Sequence, residues 1–159
     1  MKLYLKQKVF SWRDRFFVKD ETGSDRYAVE GELFSWGKKL HIYSADGEES
    51  AFIRQKLISL MPRYYVEIGG DVICEIVKEF TFFKPSYRVD GLAWHLKGDI
   101  WAHDYVLYSS VGEEMRISKE WFTWGDSYVI DVTNPANELL CLCVALAVDC
   151  AIEESRDRD

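Results

Sequence analysis

Ten consecutive apolar residues, Leu139-Leu140-Cys141-Leu142-Cys143-Val144-Ala145-Leu146-Ala147-Val148, follow Thr133-Asn134-Pro135 in the last quarter of this 159-residue chain. A helix through them has no polar face, so it must be surrounded by lipid or by protein. A spanning helix needs about 20 predominantly apolar residues. Here the run meets Asp149 and adds only Cys150-Ala151-Ile152 before Glu153-Glu154. That count predicts a helix enclosed in protein and no transmembrane span. Its start is marked by Asn134 as a cap, Pro135 at the first helical position and Glu138 near the positive end of the dipole. A helix from Pro135 to about Glu154 is roughly 30 Å long, and Ala145, Ala147, Ala151 and the cysteines leave room for strands to approach it.

The rest of the chain reads as strands and turns. Thr22-Gly23-Ser24, Trp36-Gly37-Lys38, Asp46-Gly47, Gly69-Gly70, Asp90-Gly91, Lys97-Gly98, Val111-Gly112 and Gly125-Asp126 punctuate residues 1 to 132. Such spacing predicts antiparallel meanders. Leu40-His41-Ile42-Tyr43, Tyr65-Val66-Glu67-Ile68, Val72 to Val77 and Tyr128 to Val132 carry the β-branched and aromatic bias of strands. A weak internal repeat pairs Tyr27 to Phe34 with Trp94 to Trp101, and Gly47-Glu48-Glu49 with Gly112-Glu113-Glu114. It continues with Ala51-Phe52-Ile53 opposite Met115-Arg116-Ile117 and Tyr65-Val66 opposite Tyr128-Val129. The expected organisation is one domain, 1–159, built from half-barrels at 1–68 and 69–133 with a central helix at 134–154. Closing that many strands leaves an interior too wide for side chains alone to fill, and the apolar tail is its natural occupant.

Six Trp, nine Tyr and nine Phe argue against disorder. The opening Met1 to Lys6 has no apolar signal-peptide core, and Cys74, Cys141, Cys143 and Cys150 sit in apolar surroundings, which predicts a cytoplasmic protein. A net charge of -7 disfavours nucleic-acid binding. The basic side chains cluster early, however: Lys2, Lys6, Lys8, Arg13, Arg15 and Lys19 face Asp14 alone in the first 19 residues. They are the candidate anion site, against the alternative that they are the solvated, aggregation-blocking face of edge strands.

No reaction is legible. Cys141 and Cys143 point about 200° apart on a helix, which predicts buried thiols and no metal or redox pair. His41, His95 and His103 are scattered in strand-like patterns, so no zinc site is expected. His103-Asp104 with Ser109-Ser110 comes nearest to a nucleophilic triad but lacks its elbow motif. Glu48-Glu49 and Glu113-Glu114 recur at repeated positions, as solvated turns would. Phe80-Thr81-Phe82-Phe83-Lys84-Pro85 is turn-like; exposed together, Phe82, Phe83 and Lys84 would suit a membrane interface or an apolar partner.

Taken together, Leu5-Lys6-Gln7-Lys8-Val9-Phe10-Ser11-Trp12-Arg13-Asp14-Arg15-Phe16, Tyr27-Ala28-Val29-Glu30-Gly31, His41-Ile42-Tyr43 and Asn134-Pro135-Ala136-Asn137-Glu138-Leu139-Leu140 resemble the bacterial YxjI branch of the LURP-one-related family. The resemblance implies a mainly β, tubby-like and scramblase-like fold: a closed antiparallel barrel of about twelve strands around a central hydrophobic C-terminal helix. It carries over no catalytic residue. Tubby domains hold phosphoinositide headgroups through exterior Lys and Arg. Scramblases add a cysteine-rich palmitoylated segment and an acidic calcium site, neither of which is present in this sequence.

The reading is therefore a non-enzymatic binding or scaffold domain for an anionic ligand or membrane phospholipid headgroup, cytoplasmic or peripheral to the membrane. Lys6, Lys8, Arg13, Arg15, Arg54, Lys56 and Arg63 are its contacts, with no cofactor and no metal. The alternatives are a structural or protein-protein module with an unidentified partner, and an enzyme with a site at a barrel mouth.

Overall fold

The computed structural model describes residues 1–6, 15–32, 35–122 and 125–158. Among them run twelve strands: β1 (Lys2–Lys6), β2 (Phe16–Lys19), β3 (Asp25–Gly31), β4 (Lys39–Ser44), β5 (Glu49–Gln55), β6 (Arg63–Ile68), β7 (Asp71–Glu79), β8 (Ser86–Asp90), β9 (Trp94–Asp99), β10 (Asp104–Ser109), β11 (Gly112–Phe122) and β12 (Gly125–Val132). Each pairs with its sequence neighbour, and β1 closes on β12 in register from Lys2↔Asp131 to Lys6↔Ser127. The result is a closed antiparallel barrel. One turn of 3₁₀ helix, Pro135–Asn137, then leads into α1 (Glu138–Arg158).

Alternation builds the barrel wall. Leu3 and Leu5, Leu40 and Ile42, Tyr64 and Val66, Leu107, Met115 and Ile130 point inward and are almost wholly buried. They enclose α1, on which every residue from Cys141 to Val148 is buried. Helix and inner strand faces form one apolar core, and each large aliphatic side chain placed there contributes about 1.5–3 kcal/mol. Asn134 caps as expected, its side chain accepting from the Ala136 N–H at 3.1 Å.

Polar contacts fix the helix at both ends. At its start the Arg26 guanidinium grips the buried Glu138 carboxylate through two bonds of 2.9 and 3.2 Å, and Asn137 Nδ2 donates to Glu114 at 2.9 Å. At its end Tyr64 donates to Glu154 at 3.0 Å, Lys38 to Glu153 at 3.2 Å and Lys78 to Ser155 at 3.0 Å. The links β5–β6, β7–β8 and β9–β10, with residues 35–38 ahead of β4, therefore gather at the mouth where α1 ends, and tight turns occupy the opposite mouth.

Several expectations need correction. The helix runs past the expected Glu154 to Arg158, and by length and composition residues 135–158 would suffice to cross a membrane. Here the barrel supplies the apolar surroundings instead. Lys97-Gly98 is not a turn but lies within β9; Gly98 adopts φ +122, and a Cβ there would meet Asp104 O at 2.6 Å. Glu114 is no solvated turn residue but a buried member of β11. His103 sits in the β9–β10 link with φ +54, not in an alternating strand. The similar segments noted in the sequence fall on strands six apart, β3 and β9, β5 and β11, β6 and β12.

Candidate functional site

The basic early residues that the structure describes border the seam between β1 and β2. These strands register at Tyr4↔Lys19 and part beyond it, leaving a cleft of about 460 Å³ lined by Tyr4, Lys6, Arg15, Phe16, Phe17 and Lys19. Alternation explains the lining. Leu3, Leu5, Phe16 and Val18 turn into the core, which leaves Tyr4, Lys6, Arg15, Phe17 and Lys19 on the outer face. The Arg15 guanidinium lies over the Phe17 ring, 5.4 Å from its centroid, an arrangement that holds the cation in place while leaving its edge open. Lys19 is committed to Asp25 at 2.6 Å and to the Gly23 carbonyl at 3.3 Å. Lys6 and Arg15 have no carboxylate partner among the described residues. Two uncompensated cations beside apolar walls focus positive potential into the cleft.

Of the expected contacts among the described residues, Lys6 and Arg15 meet at the cleft, and Arg54, Lys56 and Arg63 do not join them. Lys8 and Arg13 lie outside the described residues. Arg54 is paired with Glu67 at 3.3 Å and stacks 4.2 Å from the Tyr65 ring, and Arg63 is paired with Glu75 at 3.1 Å. Both are diagonal cross-strand pairs on the outer wall, remote from β1. Lys56 stands exposed in the β5–β6 link. Phe17 and Tyr4 were not anticipated, whereas Lys19 belongs to the early basic cluster; the alternation of Arg15, Phe17 and Lys19 is the signal that places them together.

Other polar clusters have different characters. His103 Nε2 lies 2.7 Å from Asp149 Oδ1, and its ring stacks on Tyr128 at 4.1 Å, buried between barrel and helix. The pKa of neighbouring Tyr105 is pushed well above the usual phenol range by burial and the Asp149 charge. Burial raises Cys74 and Cys141 to about 12 and also raises Cys143 and Cys150, so none is a ready thiolate. Ser109 turns to the Gly112 carbonyl rather than to a histidine. Among the described residues no group of His, Cys, Asp and Glu is placed to hold a metal ion.

A barrel closed around its own C-terminal helix defines a class of small β-domains in which one helix supplies the core. Within that class the chain belongs to the LURP-one-related family, whose model matches residues 1–149. It is 36% identical over 157 residues to YxjI of Bacillus subtilis (strain 168), described as uncharacterised, with 99% of this chain and 97% of that one covered; this places it in the YxjI branch. A solved protein of Arabidopsis thaliana shares the fold at TM-score 0.62 and 15% identity, over 93% of this chain and 89% of the other.

Proposed function

We propose that this is a non-enzymatic binding domain whose β1–β2 cleft takes an anionic group, a phosphoryl or carboxylate carried by a soluble ligand or by a lipid headgroup. The observation that carries the reading is the pairing of Lys6 and Arg15, without carboxylate partners among the described residues, with the apolar walls of Tyr4, Phe16 and Phe17. The remaining cleft cation, Lys19, is already neutralised by Asp25. The cations supply attraction and the aromatic walls a surface for the ligand's apolar part. Peripheral attachment to an anionic membrane surface is one context for such a site.

The test compares the native chain with the double variant Lys6→Glu, Arg15→Glu. Probes are phosphatidylglycerol vesicles and soluble glycerol phosphate, each titrated at low and high salt. A basic side chain near an anionic surface contributes about 1 kcal/mol, so reversing two should weaken vesicle binding at least roughly thirtyfold, and added salt should weaken native binding too. Binding of glycerol phosphate alone identifies a soluble ligand. A native chain indifferent to both probes, or a double variant that binds as the native does, refutes the proposal.

A further inference from the structure

The mouth of the barrel where α1 ends carries an unusual surface. Three consecutive links there present large apolar side chains to solvent. The β3–β4 link holds up Trp36, 85% exposed, and the β5–β6 link holds Leu57, Ile58 and Leu60, the last two more than 90% exposed. The β7–β8 link adds Phe80, Phe82 and Phe83, with Phe83 at 99%. Seven of the ten exposed large apolar residues on the described surface thus lie along one arc of one rim. Val111, in the β10–β11 turn, stands at the opposite mouth.

The described residues of these links are braced by their own hydrogen bonds. In each, a hydroxyl ties the backbone: Ser35 to the Gly37 carbonyl at 2.7 Å, Ser59 to Met61 at 2.6 Å and Thr81 to Lys84 at 2.6 Å. They are also laced together. Lys38 N–H donates to Gln55 Oε1 at 2.9 Å, Leu57 packs so tightly over Gly37 that a Cβ there would come within 2.6 Å, and Lys78 N–H donates to the Pro62 carbonyl at 2.9 Å. Phe80 and Phe82 meet edge to face at 5.4 Å. A braced base with apolar tips is pre-organised for burial in something.

We infer that this rim inserts into the interfacial layer of an anionic lipid bilayer. Charge identifies the occupant. Residues 35–38, 56–62 and 80–85 contain Lys38, Lys56 and Lys84 and no acid. Lys56 and Lys84 are exposed without carboxylate partners among the described residues, and Lys38 is held by Glu153. The neighbouring end of α1 is nearly balanced, with Arg158 on Glu154 and Arg156 over Trp101 beside the exposed Asp157. Apolar tips set among lysines match acyl chains beneath anionic headgroups. This inference uses none of the β1–β2 cleft residues and stands independently of the proposed anion site.

Because all four native cysteines are buried, a single introduced thiol labels selectively. Leu60→Cys and, as a control at the far mouth, Val111→Cys are each coupled to an environment-sensitive fluorophore. They are then mixed with vesicles of equal parts phosphatidylcholine and phosphatidylglycerol, with and without acyl-chain quenchers. The label at residue 60 should shift to the blue and be quenched, and the label at 111 should not. Replacing Ile58, Leu60, Phe82 and Phe83 together by Ser should lower vesicle partitioning at least about a hundredfold while leaving the thermal transition in place. Equal behaviour of the two labels, or unchanged partitioning of the quadruple variant, overturns the inference. So does a native chain that ignores vesicles but self-associates through these residues. Because the rim shares no residue with the cleft, insertion at residue 60 by Lys6→Glu, Arg15→Glu leaves this inference standing whatever the cleft probes show, and insertion lost in that double variant but kept in the quadruple one overturns it.

Discussion

His41 shows how one residue couples charge to stability. Its Nδ1 lies 2.5 Å from Glu49 and its Nε2 2.8 Å from Glu32, while the ring packs 4.7 Å from Phe52. Both ring nitrogens face acceptors, which only the imidazolium can satisfy by donating from both. Burial alone would lower its pKa, but the two carboxylates outweigh burial and raise it above the ordinary histidine value. The sign follows: stability from this clamp is fully present below about pH 6.5 and is lost as pH rises through the raised folded value. Glu32 works in the opposite window, because the His41 hydrogen bond lowers its pKa and its share disappears only in acid. Thermal unfolding of the native chain and His41→Gln should therefore show a melting-temperature gap that is widest near pH 6 and narrows as pH rises above about 6.5. A gap independent of pH would rule the clamp out. The sequence holds His41 but hides its partners, since Glu32 follows β3, Glu49 opens β5, and a register shift after Ile42 brings Glu49 opposite Tyr43.

At the scale of elements, α1 was legible because composition speaks directly: a segment apolar on all sides has to be covered. Its extent was not. Asp149 interrupts the apolar run and in the fold is paired with His103, while the helix runs past the expected Glu154 to Arg158, whose guanidinium pairs back onto Glu154. Gly98 misled for a related reason: a glycine that lets two strands approach closely looks the same in sequence as one that turns a hairpin. The β1–β2 cleft was half legible, since the basic cluster is visible in sequence whereas the parting of two strands depends on register. Within α1 the helix faces are not equal. Leu142 is wholly buried, and Leu140 is only partly so. Leu142→Ala should cost about 2–5 kcal/mol in denaturant unfolding, through lost transfer energy and the cavity left behind, and Leu140→Ala distinctly less. Equal costs would mean that the helix is not enclosed as described.

For the whole molecule the helix and the barrel are mutually dependent. The barrel has no free edge, since β1 closes on β12, so edge-to-edge pairing is not its weakness. Its weakness is the interior, where inward side chains from the strands meet α1 and would otherwise face a void or water. The helix in turn needs the barrel, because an apolar surface on every side has no solvent-facing stripe to keep it dispersed. Removing residues 135–159 should therefore leave a chain that collapses and aggregates, rather than a soluble empty barrel. The cause can be separated from loss of edge protection. Co-expressing residues 135–158 as a separate segment restores the core without restoring the covalent link, and solubility should return with a single cooperative transition by fluorescence and circular dichroism. A truncated chain that is soluble and unfolds cooperatively on its own would show that the strands fill their interior unaided, and would remove the reason why the most apolar stretch of this sequence lies at the centre of the fold.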